Sequence, residues 1–202
     1  MVSPPPKNAT TSAFSVLKGA IALIMSPTDF LTRNRDLSLP LKSVVVNYLL
    51  VFAAVPLVAT IIGSAIFYAG DSSIFGFTAA YAFEVYLLDV LLVTIIGAAI
   101  WKMSPLFGPG TNQAKATMLT VFAVVPFFVV SVIDVIPIIG VISYLGLLYG
   151  LYILYRGLPI LLDTRPARVI VFVLVISVVS IAAIAVIAII QYFIAIVLAS
   201  VL

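Results

Sequence analysis

Residues 169–202 read VIVFVLVISVVSIAAIAVIAIIQYFIAIVLASVL, 34 positions without a charge. An uncharged apolar run of this length marks a membrane-crossing helix, because about 30 Å of hydrocarbon needs roughly 20 residues. As one helix the run would be about 51 Å long, more than the hydrocarbon can cover. Gln191 and Tyr192 are expected at the far interface, which sets the crossing at about 169–190. Residues 191–202 are left to project, tilt or fold along the surface, and no turn residues divide the run into two crossings.

Working back toward the amino end, four more apolar stretches appear, at about 43–68, 75–101, 116–133 and 135–155. None alternates as a barrel strand would, so helices are the expected spanning element. Composition agrees, with 64% of 202 residues hydrophobic and 8% charged, against about a quarter charged in soluble domains. The fold class is an all-α integral membrane protein: a five-transmembrane-helix bundle over 42–202, preceded by a segment over 1–41.

In that leading segment, Pro4, Pro5 and Pro6 predict a flexible tail over Met1 to Thr11. The first 20 residues lack the apolar core and cleavage site of a signal peptide. Phe14, Leu17, Ile21 and Ile24 then recur at helical spacing with Lys18 at the stripe's edge. This predicts an amphipathic helix at the inner interface, too short to cross; the alternative is a helix packed on the bundle's own inner face. Ser26-Pro27-Thr28-Asp29 reads as a second helix start, with a serine cap, proline at the first position and an acid at the third, near the positive end of the dipole. Asp36 to Pro40 links it to the first span.

The basic residues give the orientation. Lys7, Lys18, Arg33, Arg35 and Lys42 precede the first span; Lys102 and Lys115 flank the second connection; Arg156, Arg165 and Arg168 lie between the last two spans. The connections around Asp71 and Asp134 and the carboxyl end have none. With five alternating spans, all 10 basic residues fall on one side, which the positive-inside rule assigns to the cytoplasm. The amino end is thus expected inside and the carboxyl end outside. Lys18, Arg33, Arg35, Lys42, Lys102, Lys115, Arg156, Arg165 and Arg168 are expected to contact anionic headgroups, at about 1 kcal/mol each near the surface. For Arg33 and Arg35 a protein-docking role is the alternative.

With no cysteine and no histidine, disulfides, Cys/His metal sites, cysteine nucleophiles and histidine bases are excluded. Phe107-Gly108-Pro109-Gly110 is a turn and not a phosphate loop, since no Lys-Ser pair follows. No catalytic residue, metal or cofactor is expected, and no enzyme. The expected partners are membrane lipids and another membrane protein or a second copy, with no nucleic acid.

Helix association in lipid depends on close backbone approach. Gly140, Gly146 and Gly150 offer this in the fourth span, with Ala59 and Gly63 in the first and Ala182, Ala185 and Ala188 in the fifth. Pro56 and Pro126 predict kinks, and Pro137 is expected to start the fourth helix. Tyr155 suits an interfacial belt beside Arg156.

Glu84 and Asp89 are the unusual side chains, two acids in the second span with no cation at similar depth. Charge at the bilayer centre is costly, so such residues suggest function or a polar cavity. Five residues apart on a helix, they stand about 140° apart and do not share a face. Tyr81 and Tyr86 are their local neighbours, and Asn47 or Tyr48 is placed to meet Asp89. One reading is a proton or cation site of a small transporter or channel. The other puts Glu84 nearer outer water and makes Asp89 a neutral, hydrogen-bonded acid.

A run of motifs resembles the Yip-one domain family, the Ypt/Rab-interacting membrane proteins, in its short prokaryotic form. It comprises Leu106-Phe107-Gly108, Lys115, Val125-Pro126, Ile136-Pro137-Ile138-Ile139-Gly140, Leu145-Gly146-Leu147-Leu148-Tyr149-Gly150-Leu151-Tyr152 and Arg156-Gly157-Leu158-Pro159. The resemblance implies five spans, a cytosolic amino end and, for the short type, the plasma membrane of a prokaryote. It implies a membrane organiser or accessory subunit; in eukaryotes the family is associated with Rab GTPases and vesicle traffic. An Asp-Leu-Tyr-Gly-Pro motif of the family is here Asp36-Leu37-Ser38-Leu39-Pro40, without the Tyr-Gly pair.

Overall fold

The computed structural model describes residues 13–37, 39–136 and 139–201. Among them no strand occurs. The tail over Met1 to Thr11 with Lys7, the Ser38 position and the Pro137 helix start lie outside the described residues.

The chain begins with α1 (Ala13–Met25) and α2 (Pro27–Arg33). The first crossing joins α3 (Leu41–Val44), a π-turn (Val45–Leu49) and α4 (Leu50–Phe67). Then come α5 (Ser72–Phe107) and α6 (Gln113–Val130), the latter extended by a 3-10 turn at Ser131–Val135. A second 3-10 turn (Gly140–Tyr144) leads into α7 (Leu145–Leu161), and α8 (Val169–Val201) closes the chain. Five segments are long and apolar enough to cross a membrane: Leu41–Phe67, Ser72–Phe107, Gln113–Val135, Val141–Leu161 and Pro166–Val197. The protein is an all-α, five-transmembrane-helix bundle preceded by the short helices α1 and α2.

The helix ends differ from hydropathy for a physical reason. Asp71 starts α5 three residues early by accepting from the amides of Ser73 and Ile74 at 3.0 and 3.1 Å, which satisfies donors the helix itself leaves free. At the other end α5 passes Trp101 and Lys102 and stops only at Gly108. Likewise α7 passes Tyr155 and Arg156 and ends at Leu161. A charge marks where water begins, not where hydrogen bonding along the helix must stop. The fourth span starts at Val141 rather than 135, because the 3-10 turn at Ser131–Val135 still belongs to the third, and the Ser143 hydroxyl donates to Asp134 across the connection at 2.6 Å. Gln191 and Tyr192 lie within an unbroken α8, so the last stretch continues as helix rather than folding over.

At the centre is α6, with 61% of its most apolar stretch buried, against 17% for α5 and for α8. Small residues let its neighbours in. A Cβ on Gly146 would lie 2.6 Å from the Phe127 backbone, and one on Gly150 would run into the Ala123 carbonyl. A Cβ on Gly97 of α5 would meet the Thr117 Cα at 3.0 Å, and one on Gly63 of α4 the Val135 carbonyl. These near-backbone contacts supply the dispersion on which helix packing in lipid relies. On the far flank Phe107 stacks on Phe172 with centroids 4.2 Å apart, joining α5 to α8.

Candidate functional site

Two regions concentrate polar groups in an otherwise apolar molecule. The first is the acid pair on α5. Both carboxyl oxygens of Glu84 are closed off from solvent and have no hydrogen-bond partner. Tyr81 is 37% exposed and stacks against Phe77 one turn earlier, whereas Tyr86 packs on the core. Asn47 donates to the Ser43 hydroxyl at 2.8 Å within its own helix, not to Asp89, and Tyr48 packs on the core.

The depth of the acids follows from helix register. Gly97 abuts Thr117 where the antiparallel α5 and α6 touch. Counting outward from that contact at about 1.5 Å per residue, Glu84 stands level with Val130, the last residue of α6. Asp89 stands level with Val125 and Pro126. Lys102 lies 18 positions from Glu84, about 27 Å, close to the thickness of a hydrocarbon core. With Lys102 at one boundary, Glu84 is near the other and Asp89 about 8 Å inside it. Among the described residues no group of three or more His, Cys, Asp or Glu converges as a metal site. Among the described residues no second carboxyl or cation is bonded to either acid.

The second region is the end of the bundle where α3, α6 and α8 begin. Every described basic residue belongs to the elements meeting there. Lys18, Arg33, Arg35, Lys42, Lys102, Arg165 and Arg168 are exposed, and Lys115 and Arg156 half-buried. Backbone contacts lock the two basic loops together. A Cβ on Gly108 would sit 2.5 Å from the Asp163 carbonyl oxygen, and one on Gly110 would strike the Leu162 carbonyl. The Arg165 amide donates to the Phe107 carbonyl at 3.1 Å, and the Arg168 guanidinium to that of Leu106 at 2.7 Å. Trp101 Nε1 donates to the Thr111 carbonyl at 2.7 Å, fixing the loop between α5 and α6.

The same end receives α1 and α2. Arg35 pairs with Asp163 at 2.8 Å, the Arg156 Nε donates to the Thr28 hydroxyl at 2.9 Å, and the Tyr149 hydroxyl donates to the Ile24 carbonyl at 2.6 Å. Phe30 meets Phe122 edge-on at 5.3 Å. Asp163, with φ of 49°, is the one described non-glycine residue at positive φ. Sequence reasoning does not single out Asp163 or Gly97. Their signals are an acid in a Leu-Leu-Asp-Thr-Arg-Pro turn and a lone small residue in an Ile-Ile-Gly-Ala-Ala-Ile run, neither of which names the partner.

Among the described residues the arrangement offers a basic platform, apolar faces and two isolated acids. No curated protein matches the chain, and no solved structure does. The model of the Yip1 domain matches residues 21–200, nearly the whole length. Together with the five apolar helices, this places the chain in the Yip1 domain family of membrane proteins.

Proposed function

We propose that this protein is a non-enzymatic membrane organiser or accessory subunit of a prokaryotic plasma membrane, with its amino end in the cytoplasm and its carboxyl end outside. It acts through helix–helix and lipid contacts, with another membrane protein or a second copy as partner. The observation that carries this reading is the pair α5 and α8. They are 36 and 33 residues long and leave most of their apolar surface outside the bundle. In this reading Gly140, Gly146 and Gly150 set the helix packing. The nine described cations hold the cytoplasmic face against anionic headgroups.

The test is affinity capture of the tagged full-length chain from native membranes in mild detergent. A stoichiometric membrane partner or a stable self-association is expected; a monodisperse monomer from those membranes would overturn the reading. A second reading, a small proton-linked transporter, draws support from the unpartnered carboxyl of Glu84. Reconstituted vesicles separate the two. Proton flux abolished by Glu84→Gln or Asp89→Asn with folding intact would replace the organiser by the transporter.

A further inference from the structure

We infer that α1 and α2 form a re-entrant hairpin that dips into the hydrocarbon of the leaflet at the basic end, with Ile21 and Met25 facing acyl chains. This goes beyond the organiser reading and does not depend on it.

Register sets the depth of the hairpin. Ile24 is tied to Tyr149, and Tyr149 lies 12 positions from the basic end of α7 at Leu161, about 18 Å along the helix. Measured instead from the nearest charges, Tyr149 is seven positions from Arg156, and Phe122, which holds Phe30, is seven from Lys115; both distances are about 10 Å. The tip of the hairpin, Met25-Ser26-Pro27, therefore stands about 10–18 Å above the basic plane. A helix lying wholly in the interface reaches only about 5–10 Å. Arg35 reaches Asp163 at the basic end, so α2 descends from the tip and α1 climbs to it.

Part of the backbone at the tip is satisfied within the protein, as lipid favours. The Ser26 amide donates to the Ala22 carbonyl at 2.9 Å, and its carbonyl accepts from the Phe30 amide at 3.0 Å. Pro27 has no N–H to satisfy, and the Ile24 carbonyl is taken by Tyr149. Meanwhile Met25 is 78% and Ile21 49% exposed, large apolar groups on one face of α1 that no described residue covers. At that depth their surroundings are acyl chains. The hairpin makes the protein wider in one leaflet than in the other.

The chain has no cysteine, so single nitroxide labels can be placed without removing any. Met25→Cys, Ile21→Cys, Arg33→Cys and Leu91→Cys variants are labelled and reconstituted into phosphatidylethanolamine/phosphatidylglycerol vesicles. Paramagnetic relaxation by oxygen and by a water-soluble nickel chelate then reads depth. The expected oxygen-to-nickel ratio at Met25 is several-fold above that at Arg33 and close to that at Leu91 on α5. Ile21, one turn below Met25, should read up to about 6 Å shallower. Equal depths at Ile21 and Met25 would mean a helix lying flat, and a nickel-accessible Met25 would mean a hairpin in water; either overturns the inference. All four labels replace exposed side chains, and an unchanged gel-filtration profile checks the fold.

Discussion

Gly150 of α7 lies so close to Ala123 of α6 that a Cβ added to it would overlap the Ala123 carbonyl oxygen. Gly150→Ala should therefore push α7 off α6. Overpacking a tight contact costs about 1–3 kcal/mol, and Gly146→Ala, against the Phe127 backbone, should cost the same. A methyl placed on Gly76 would have nothing within 4 Å, so Gly76→Ala serves as the neutral control. Thermal unfolding in detergent is the measurement, and an unchanged midpoint for Gly150→Ala would refute the expectation.

The Arg35–Asp163 pair bridges α2 to the loop before α8, yet its side chains are 53% and 51% exposed. Screened by solvent, such a pair contributes less than about 1 kcal/mol. A double-mutant cycle with Arg35→Ala and Asp163→Ala should return a coupling in that range that fades with salt. Asp163 has a second role through its backbone. At φ of 49°, a β-branched residue is strained and glycine is not. Asp163→Val should thus destabilise more than Asp163→Gly, although both remove the same charge.

Asp71 lies between the first two spans and caps α5. The Ser73 hydroxyl, followed by the Ile74 amide, holds its carboxyl below the usual aspartate range. A carboxyl depressed on folding stabilises above its unfolded pKa and loses that contribution as pH falls through the folded value. The protection factors of the amides in the first turn of α5, taken against intrinsic rates at each pH, should accordingly be high at neutral pH and fall on acidification below the ordinary aspartate range. Asp71→Asn keeps an N-cap acceptor and should flatten that dependence.

Tyr149→Phe removes the donor to the Ile24 carbonyl and leaves that group unpaired, a loss of about 1–3 kcal/mol where water is excluded. Protease cleavage within 13–33 should accelerate while α5 to α8 stay protected. Arg156→Met, which removes the donor to Thr28, should act in the same direction. Equal protection of both regions would show that the hairpin is held by other contacts.

The five spans and the gathering of cations on one face are legible in the chain itself, because hydropathy and Lys/Arg placement are local properties that each segment carries alone. The acids can be found the same way, as charges in apolar runs. Their depth cannot: it takes the contact of Gly97 with Thr117 to set Glu84 level with the end of α6. Hydropathy misplaces the helix ends at Trp101 and Tyr155 because the cations just beyond them mark solvent, whereas the helices continue to Gly108 and Leu161.

Amino-acid order alone thus settles which segments leave water, since transfer into lipid is a property of each segment's own surface. Which glycine meets which carbonyl, and how far α1 and α2 rise along the bundle, depends on groups more than a hundred positions apart, such as Tyr149 with Ile24 or Arg35 with Asp163. Those pairings exist only once helices have packed, because a hydrogen bond or a van der Waals contact needs both partners within a few ångströms, and only the folded bundle brings them there.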